Sequence, residues 1–263
     1  MIEPLVRLGY ASKAFIYATM GLLAAAAALN RGGRVTDTRG ALRVILSHPF
    51  GNAVLLVLAI GLCAYSLWRV LDAVLDPGRR GTGVKGLAVR IGHLVRALVY
   101  GGLGLEAFRL ARGFRASSGT DATVRFWTAK VMALPLGDWL VGAVGVITAA
   151  YGISEIVSAI RGRDREKLDL YGLGPAHRRT LTRICRFGVG ARALIIVVLG
   201  LALARAAIEH NPARATGVRG SILELAHAAP GGWLLAFTAV GLIAYGLDQA
   251  LHARYGYIRS PIR

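Results

Sequence analysis

Six stretches of this chain are apolar on nearly every face, and that pattern limits the fold more than any other feature. They run roughly over residues 8–29, 51–73, 91–111, 137–160, 187–208 and 231–252. At about 1.5 Å per helical residue, about twenty residues cross a hydrocarbon core about 30 Å thick. A helix on the surface of a soluble domain has one apolar stripe and a polar back. These stretches lack the polar back, and a chain of 263 residues has too little else to cover six of them. Lipid is the solvent that fits. A backbone in lipid must satisfy its own hydrogen bonds, so each stretch is expected to be a helix. The first runs on to Leu29, too long for the core of a signal peptide, and reads as the first span.

Composition supports the same class. The chain is 55% hydrophobic and 17% charged, whereas a soluble domain has about a quarter of its residues charged. The charge that remains is lopsided: 32 Lys and Arg stand against 14 Asp and Glu, a net +18. Such an excess often marks a nucleic-acid binder. Here the bases lie in loops and at the ends of apolar stretches, not in one stripe, so no nucleic-acid partner is expected. Bases placed this way orient a membrane protein and attract anionic headgroups. Twenty of them fall on the side of the chain's start, the 70s–90s loop, the 161–192 loop and the tail, and twelve on the other. The positive-inside rule then predicts a multi-pass protein of the bacterial plasma membrane with both termini cytoplasmic.

The stretches are organised as a repeat. The first helix of each unit carries Arg, Gly two residues on, a base at +6 and Gly at +14. These are Arg7, Gly9, Lys13 and Gly21; Arg90, Gly92, Arg96 and Gly104; and Arg186, Gly188, Arg192 and Gly200. The second helices open on Pro49-Phe50-Gly51, Pro135-Leu136-Gly137 and Pro230-Gly231-Gly232. Tyr65, Tyr151 and Tyr245 each follow 14 residues after Gly51, Gly137 and Gly231. The expected fold is all-α and integral to the membrane: six transmembrane helices as three tandem two-helix repeats in a pseudo-threefold bundle. The units cover approximately 7–76, 90–162 and 186–255 of a single membrane domain. The outer connection of each unit mixes apolar and basic residues and predicts a short interfacial helix, with Asp37 or Thr38 as the first one's cap.

The Arg-Leu-Gly-Tyr at 7–10, the Thr-Arg-Gly-Ala-Leu at 38–42, the Pro-Phe-Gly at 49–51 and the Gly-Leu-Cys-Ala-Tyr at 61–65 resemble the bacterial membrane family called Domain of Unknown Function 1206. That resemblance covers nearly the whole chain and implies one two-helix module used three times. It implies no reaction and supplies no catalytic residue. Unit one carries it best. Unit two departs at His93, where unit one has Tyr10, and at Ile147, where unit one has Gly61; unit three departs at Val189 and Ile196.

Charges inside the spans are the candidate site. Lys13, Arg96 and Arg192 each lie about six residues within an apolar helix, and intramembrane charge usually faces a partner or a cavity. If the units pack around a common axis, the three converge into an anion- or lipid-binding site; the alternative is that long side chains snorkel to the headgroups. Four residues after each repeated tyrosine stand Arg69, Glu155 and Gln249, a candidate intramembrane polar network that glues helices together. Glu106 has Arg109 three residues on, a local pair. Cys63 and Cys185 read as small hydrophobes, and the six histidines lack ligand spacing, so neither metal nor cofactor is expected. Gly81-Thr82-Gly83-Val84-Lys85-Gly86 fits a dinucleotide pattern but follows no strand, and Asn211-Pro212-Ala213 occurs once, in an outer loop. The expectation is a non-enzymatic scaffold or accessory protein binding anionic membrane lipid at its cytoplasmic face. A transporter or channel for a small anionic solute, along the pseudo-threefold axis, is the alternative. A polar cavity around the three bases would favour transport; a dry axis packed with Gly and Tyr would favour the scaffold.

Overall fold

The computed structural model describes residues 2–29, 33–75, 83–115, 119–161, 175–228 and 233–256. The Pro230-Gly231-Gly232 entry, the loop bases Arg79, Arg80, Arg163, Arg165 and Lys167, and most of the C-terminal tail lie outside them. The architecture is all-helical. In chain order the helices are α1 (Ile2–Ala28), α2 (Thr38–Leu46), α3 (Gly51–Leu75), α4 (Val84–Ala111), α5 (Thr120–Met132), α6 (Gly137–Arg161), α7 (Pro175–Ile208), α8 (Val218–His227) and α9 (Trp233–Tyr255). Five are long and apolar enough to cross a membrane: α1, α3, α6, α7 and α9. The chain is therefore a multi-pass membrane protein. Its α4 is as long as the others, but Arg90, Arg96, Glu106 and Arg109 interrupt its apolar run. The seventh helix starts at Pro175, a dozen residues before the apolar stretch that announced it. Its first turns carry Arg178, Arg179 and Arg183, which hide a helix from any reading based on apolarity.

Lipid tails are as apolar as leucine, so helices in a membrane associate through close van der Waals packing and polar contacts, not through escape from water. Small residues permit that closeness here. Successive units meet through α3 on α4 and α6 on α7, and the last meets the first through α9 on α1. A Cβ on Gly145 would stand 2.6 Å from the Ala204 backbone nitrogen, and one on Gly246 would stand 3.1 Å from the Ala14 carbonyl oxygen. The first helix of each unit also ties down the end of its neighbour. Arg7 donates to the carbonyls of Ala253 and Arg254, Arg90 to those of Ala73 and Val74, and Arg186 to those of Ala159 and Ile160. These carbonyls close α9, α3 and α6, where the helix has no further N–H to offer them and where a cation complements the dipole.

The three short helices interlock on the opposite face. Asp37 caps α2 by accepting from the Gly40 N–H at 2.7 Å and, with its other oxygen, accepts from the Thr120 N–H at the start of α5, 2.6 Å away. The third unit has Gly217 before its short helix and no capping side chain of its own. Asp121 of the second unit supplies the missing carboxylate, accepting from the N–H groups of Gly217 and Gly220 at 2.8 and 3.2 Å. The arginine Arg219 returns from the third unit to the first, donating to the Val35 carbonyl at 3.1 Å.

Burial of Asp37 raises its carboxyl pKa, but the hydrogen bonds from Thr120 and Gly40 outweigh this and hold it below the ordinary carboxylate value. A carboxyl held low stabilises the fold at neutral pH and loses that contribution as pH falls through the unfolded value, about 4, toward the folded one. Asp37→Asn keeps an oxygen for the cap but sets an amide N–H against the Thr120 N–H, and is expected to cost about 1–2 kcal/mol at pH 7, with the gap from wild type narrowing below about pH 4. Thermal melts in detergent across that range test this; a gap of constant size at all pH values contradicts it.

Candidate functional site

The repeated bases follow one rule: each meets the repeated tyrosine on the second helix of its own unit. The Lys13 Nζ lies 4.6 Å from the centre of the Tyr65 ring and 3.4 Å from its hydroxyl. The Arg96 Nη2 donates to the Tyr151 hydroxyl at 2.7 Å. The Arg192 guanidinium carbon stands 5.0 Å from the centre of the Tyr245 ring. A base six residues after the repeated arginine of one helix and a tyrosine fourteen residues after the entry glycine of the next thus meet, three times over.

Around Lys13 the tyrosines form a cage. Its ammonium faces the rings of Tyr10 and Tyr100 at 5.2 and 4.8 Å as well as that of Tyr65. The ring quadrupole attracts a cation most where water is excluded, and Lys13 is buried at 5% exposure. Tyr65 packs edge-on against Tyr10 and Tyr100, with ring centres 5.3 and 5.1 Å away. The hydroxyls of Tyr17 and Tyr100 are 3.5 Å apart, and Arg192 Nε reaches Tyr17 at the same distance. Tyr17 in turn sits edge-on to Tyr245 at 4.7 Å. Lys13 and Arg192 are therefore linked through tyrosines. Lys13 is buried and Arg192 is part-buried. Arg96 differs: its side chain is 38% exposed, and its guanidinium stands 4.0 Å from Glu155.

The second predicted group does not come together. Arg69 donates to the hydroxyls of Tyr65 and Tyr10 at 2.9 and 3.1 Å and pairs with Asp72 at 3.0 Å, with the His93 Nδ1 3.3 Å away. Glu155 belongs to Arg96 instead. Gln249 donates to the buried Asp248 at 2.8 Å, whose carboxylate is 3.6 Å from His252. Equivalent positions in a repeat reach different neighbours because their surroundings have diverged. Arg69 had Asp72 one turn on in its own helix, a local partner that made a distant one unnecessary. The sequence reading missed Tyr10, Tyr17, Tyr100, Trp68, Asp72 and His93 as members of the cluster. The equivalence of Tyr17 and Tyr100, both four residues after the repeated base, was the available signal.

Unit two also departs in its packing. In unit one a Cβ on Gly9 would stand 2.5 Å from the Tyr65 Cβ and 2.8 Å from the Gly61 carbonyl oxygen, so α1 and α3 touch backbone to backbone. In unit three Gly188 meets Tyr245 and Gly241 meets Ala191 in the same way, joining α7 to α9. A Cβ on Gly92 would meet nothing within 4 Å, and among the described residues α4 and α6 do not pack closely at all. Ile147 stands where the other units have Gly61 and Gly241, and it is 67% exposed. Arg96 spans the gap to Tyr151 and Glu155.

The comparisons with known proteins agree with the repeat. The family model Domain of Unknown Function (DUF1206) matches three times, over residues 8–76, 91–162 and 187–256. An uncharacterized protein of Bacillus subtilis (strain 168), YxxB, is 31% identical over 252 residues, which cover 96% of this chain and 90% of that protein. No solved structure matches. With its three module copies matched in order along nearly the whole chain, this protein belongs to the DUF1206 family.

Proposed function

We propose that the chain is a non-enzymatic membrane scaffold or accessory protein that binds anionic lipid at its cytoplasmic face. In this reading α4 is the sixth span, the three units surround a pseudo-threefold axis, and both termini are cytoplasmic in the bacterial plasma membrane. The observation that carries it is the state of the axis. Lys13 is buried, and Arg192 part-buried, among Tyr10, Tyr17, Tyr65, Tyr100 and Tyr245. A conduction path needs sites that an ion can enter and leave, and here tyrosine rings and hydroxyls already occupy the space around the cations. The bases hold helices together, and the charge offered to a ligand lies at Arg96 and on basic helix ends such as Arg179 and Arg183.

Native mass spectrometry of the protein released from nanodiscs of mixed phosphatidylglycerol and phosphatidylcholine tests this. The expected result is phosphatidylglycerol adducts enriched above their share of the bilayer. Adducts that mirror the bilayer composition overturn lipid recognition. Uptake of a small anion by proteoliposomes, lost in Lys13→Met, replaces the scaffold with the transporter.

A further inference from the structure

We infer that the gap between α4 and α6 seats one acyl chain of an anionic phospholipid, with the phosphate on Arg96. This rests on the lipid-binding reading above and gives it a place. Four positions measure the gap. Ser12 and Ile16 of α1, and Ala191 and Ile195 of α7, are at most 5% exposed, and Ser12 and Ala191 lie against Gly61 and Gly241 of the second helix of their unit. Their equivalents in α4 are Val95 and Val99, exposed at 53% and 60%. Across the gap, Val144 and Ile147 of α6 are 54% and 67% exposed, while Leu58, the counterpart of Val144 in α3, is 4% exposed. The surfaces that close units one and three are thus open in unit two, and they are apolar on both sides.

The occupant follows from where the gap lies and what bounds it. A cleft between two membrane helices that opens sideways is filled by the surrounding solvent, which is hydrocarbon chain. One end of this cleft is bounded by Arg96, on the face that carries the start of α1. Its contacts to Tyr151 and Glu155 are made through Nη2. Among the described residues Nε and Nη1 have no acceptor, and a guanidinium offers several donors in a fork suited to phosphate. Glu155 holds the guanidinium at the mouth of the cleft and disfavours binding of a bare anion. A chain held by apolar contact along Val95, Val99, Val144 and Ile147 offsets that, so the lipid as a whole binds where inorganic phosphate does not.

The test uses full-length protein in nanodiscs containing either phosphatidylglycerol or phosphatidylcholine with a photoreactive diazirine in the acyl chain, followed by peptide mapping. Phosphatidylglycerol is expected to label α4 around Val95 and Val99 and α6 around Val144 and Ile147. Arg96→Gln is expected to lower that labelling about tenfold, the loss of one charged hydrogen-bonded contact, and to lower phosphatidylcholine labelling less, because the choline cation already offsets its phosphate charge. Ile147→Trp, which fills the cleft from a position that packs on nothing, is expected to remove the label while the thermal midpoint holds. It serves as the test if the arginine variant fails to fold. Equal labelling by the two lipids, label spread evenly over all lipid-facing helices, or a dimer with both helices unlabelled overturns the inference. Enriched phosphatidylglycerol adducts that map elsewhere overturn the cleft alone and leave the lipid-binding scaffold standing. Absence of any enrichment overturns both.

Discussion

Gly9→Val is expected to destabilise the protein by about 3 kcal/mol, the upper part of the range for overpacking a tight contact, and Gly92→Val to change stability by less than about 0.5 kcal/mol. The two glycines hold the same place in the repeat. At Gly9 the new side chain would meet the Tyr65 Cβ at 2.5 Å and a carbonyl oxygen at 2.8 Å. Both belong to the partner's backbone or its first side-chain atom, so no rotamer change makes room and α1 must move off α3. That movement also drags Lys13 away from Tyr65. At Gly92 there is open space, and the helix loses only the conformational freedom that glycine brings. Unfolding in mixed micelles by titration with a denaturing detergent measures both. Equal losses at the two positions would mean that α4 packs on α6 as the other pairs pack, and the cleft would not exist.

Much of this architecture was legible in the sequence because membrane helices advertise themselves through length and apolarity, and a repeat multiplies each weak signal by three. The helices at 51–75 and 137–161 begin at the glycines that follow Pro49-Phe50 and Pro135-Leu136, as the entry motifs indicated. The cap at Asp37 was legible for a similar reason: a short polar side chain before an apolar turn has few other uses. The start of α7 was hidden, because apolarity says nothing about a helix that begins outside the membrane. The opening in unit two was half-written. Ile147 in place of Gly61 was visible as a departure, but only the packing of the helices reveals that α4 and α6 stand apart.

The site was less legible than the fold, for a physical reason. Sequence shows where charge enters the membrane and not what neutralises it. A buried lysine suggests a carboxylate or an anion; what the structure sets directly against Lys13 is aromatic faces. The glycine and tyrosine patterns were read as packing and the bases as chemistry, whereas the structure makes them one lattice. Arg69 shows the same bias. Its equivalence to Glu155 and Gln249 is a fact of the repeat, but an ion pair forms with whatever acid the local geometry offers, and Asp72 was three residues away.

Tyr65 is where that lattice is expected to be most sensitive. Its ring touches the Lys13 ammonium and the Arg69 guanidinium, whose carbon lies 4.9 Å from the ring centre. Its hydroxyl accepts from Arg69 at 2.9 Å and lies 3.4 Å from Lys13, and it is 1% exposed. Tyr65→Ala is expected to cost about 3–5 kcal/mol, as for other large aromatic truncations in a core, and Tyr65→Phe about 1–3 kcal/mol, because the hydroxyl alone is lost and a buried donor is left without it. Tyr151 makes one such contact in a unit whose helices stand apart, so Tyr151→Ala is expected to cost less than Tyr65→Phe. Lys13→Met separates caging from simple bulk. In wild type it removes a cation that three rings stabilise; in Tyr65→Ala it removes a cation that has lost the nearest of them. A cation–ring contact shielded from water is worth about 2 kcal/mol, so the double variant should be more stable than the sum of the two single losses by about that amount. Strictly additive losses would mean that Tyr65 acts through volume alone, and that the ammonium of Lys13 draws its stability from some group other than the ring nearest to it.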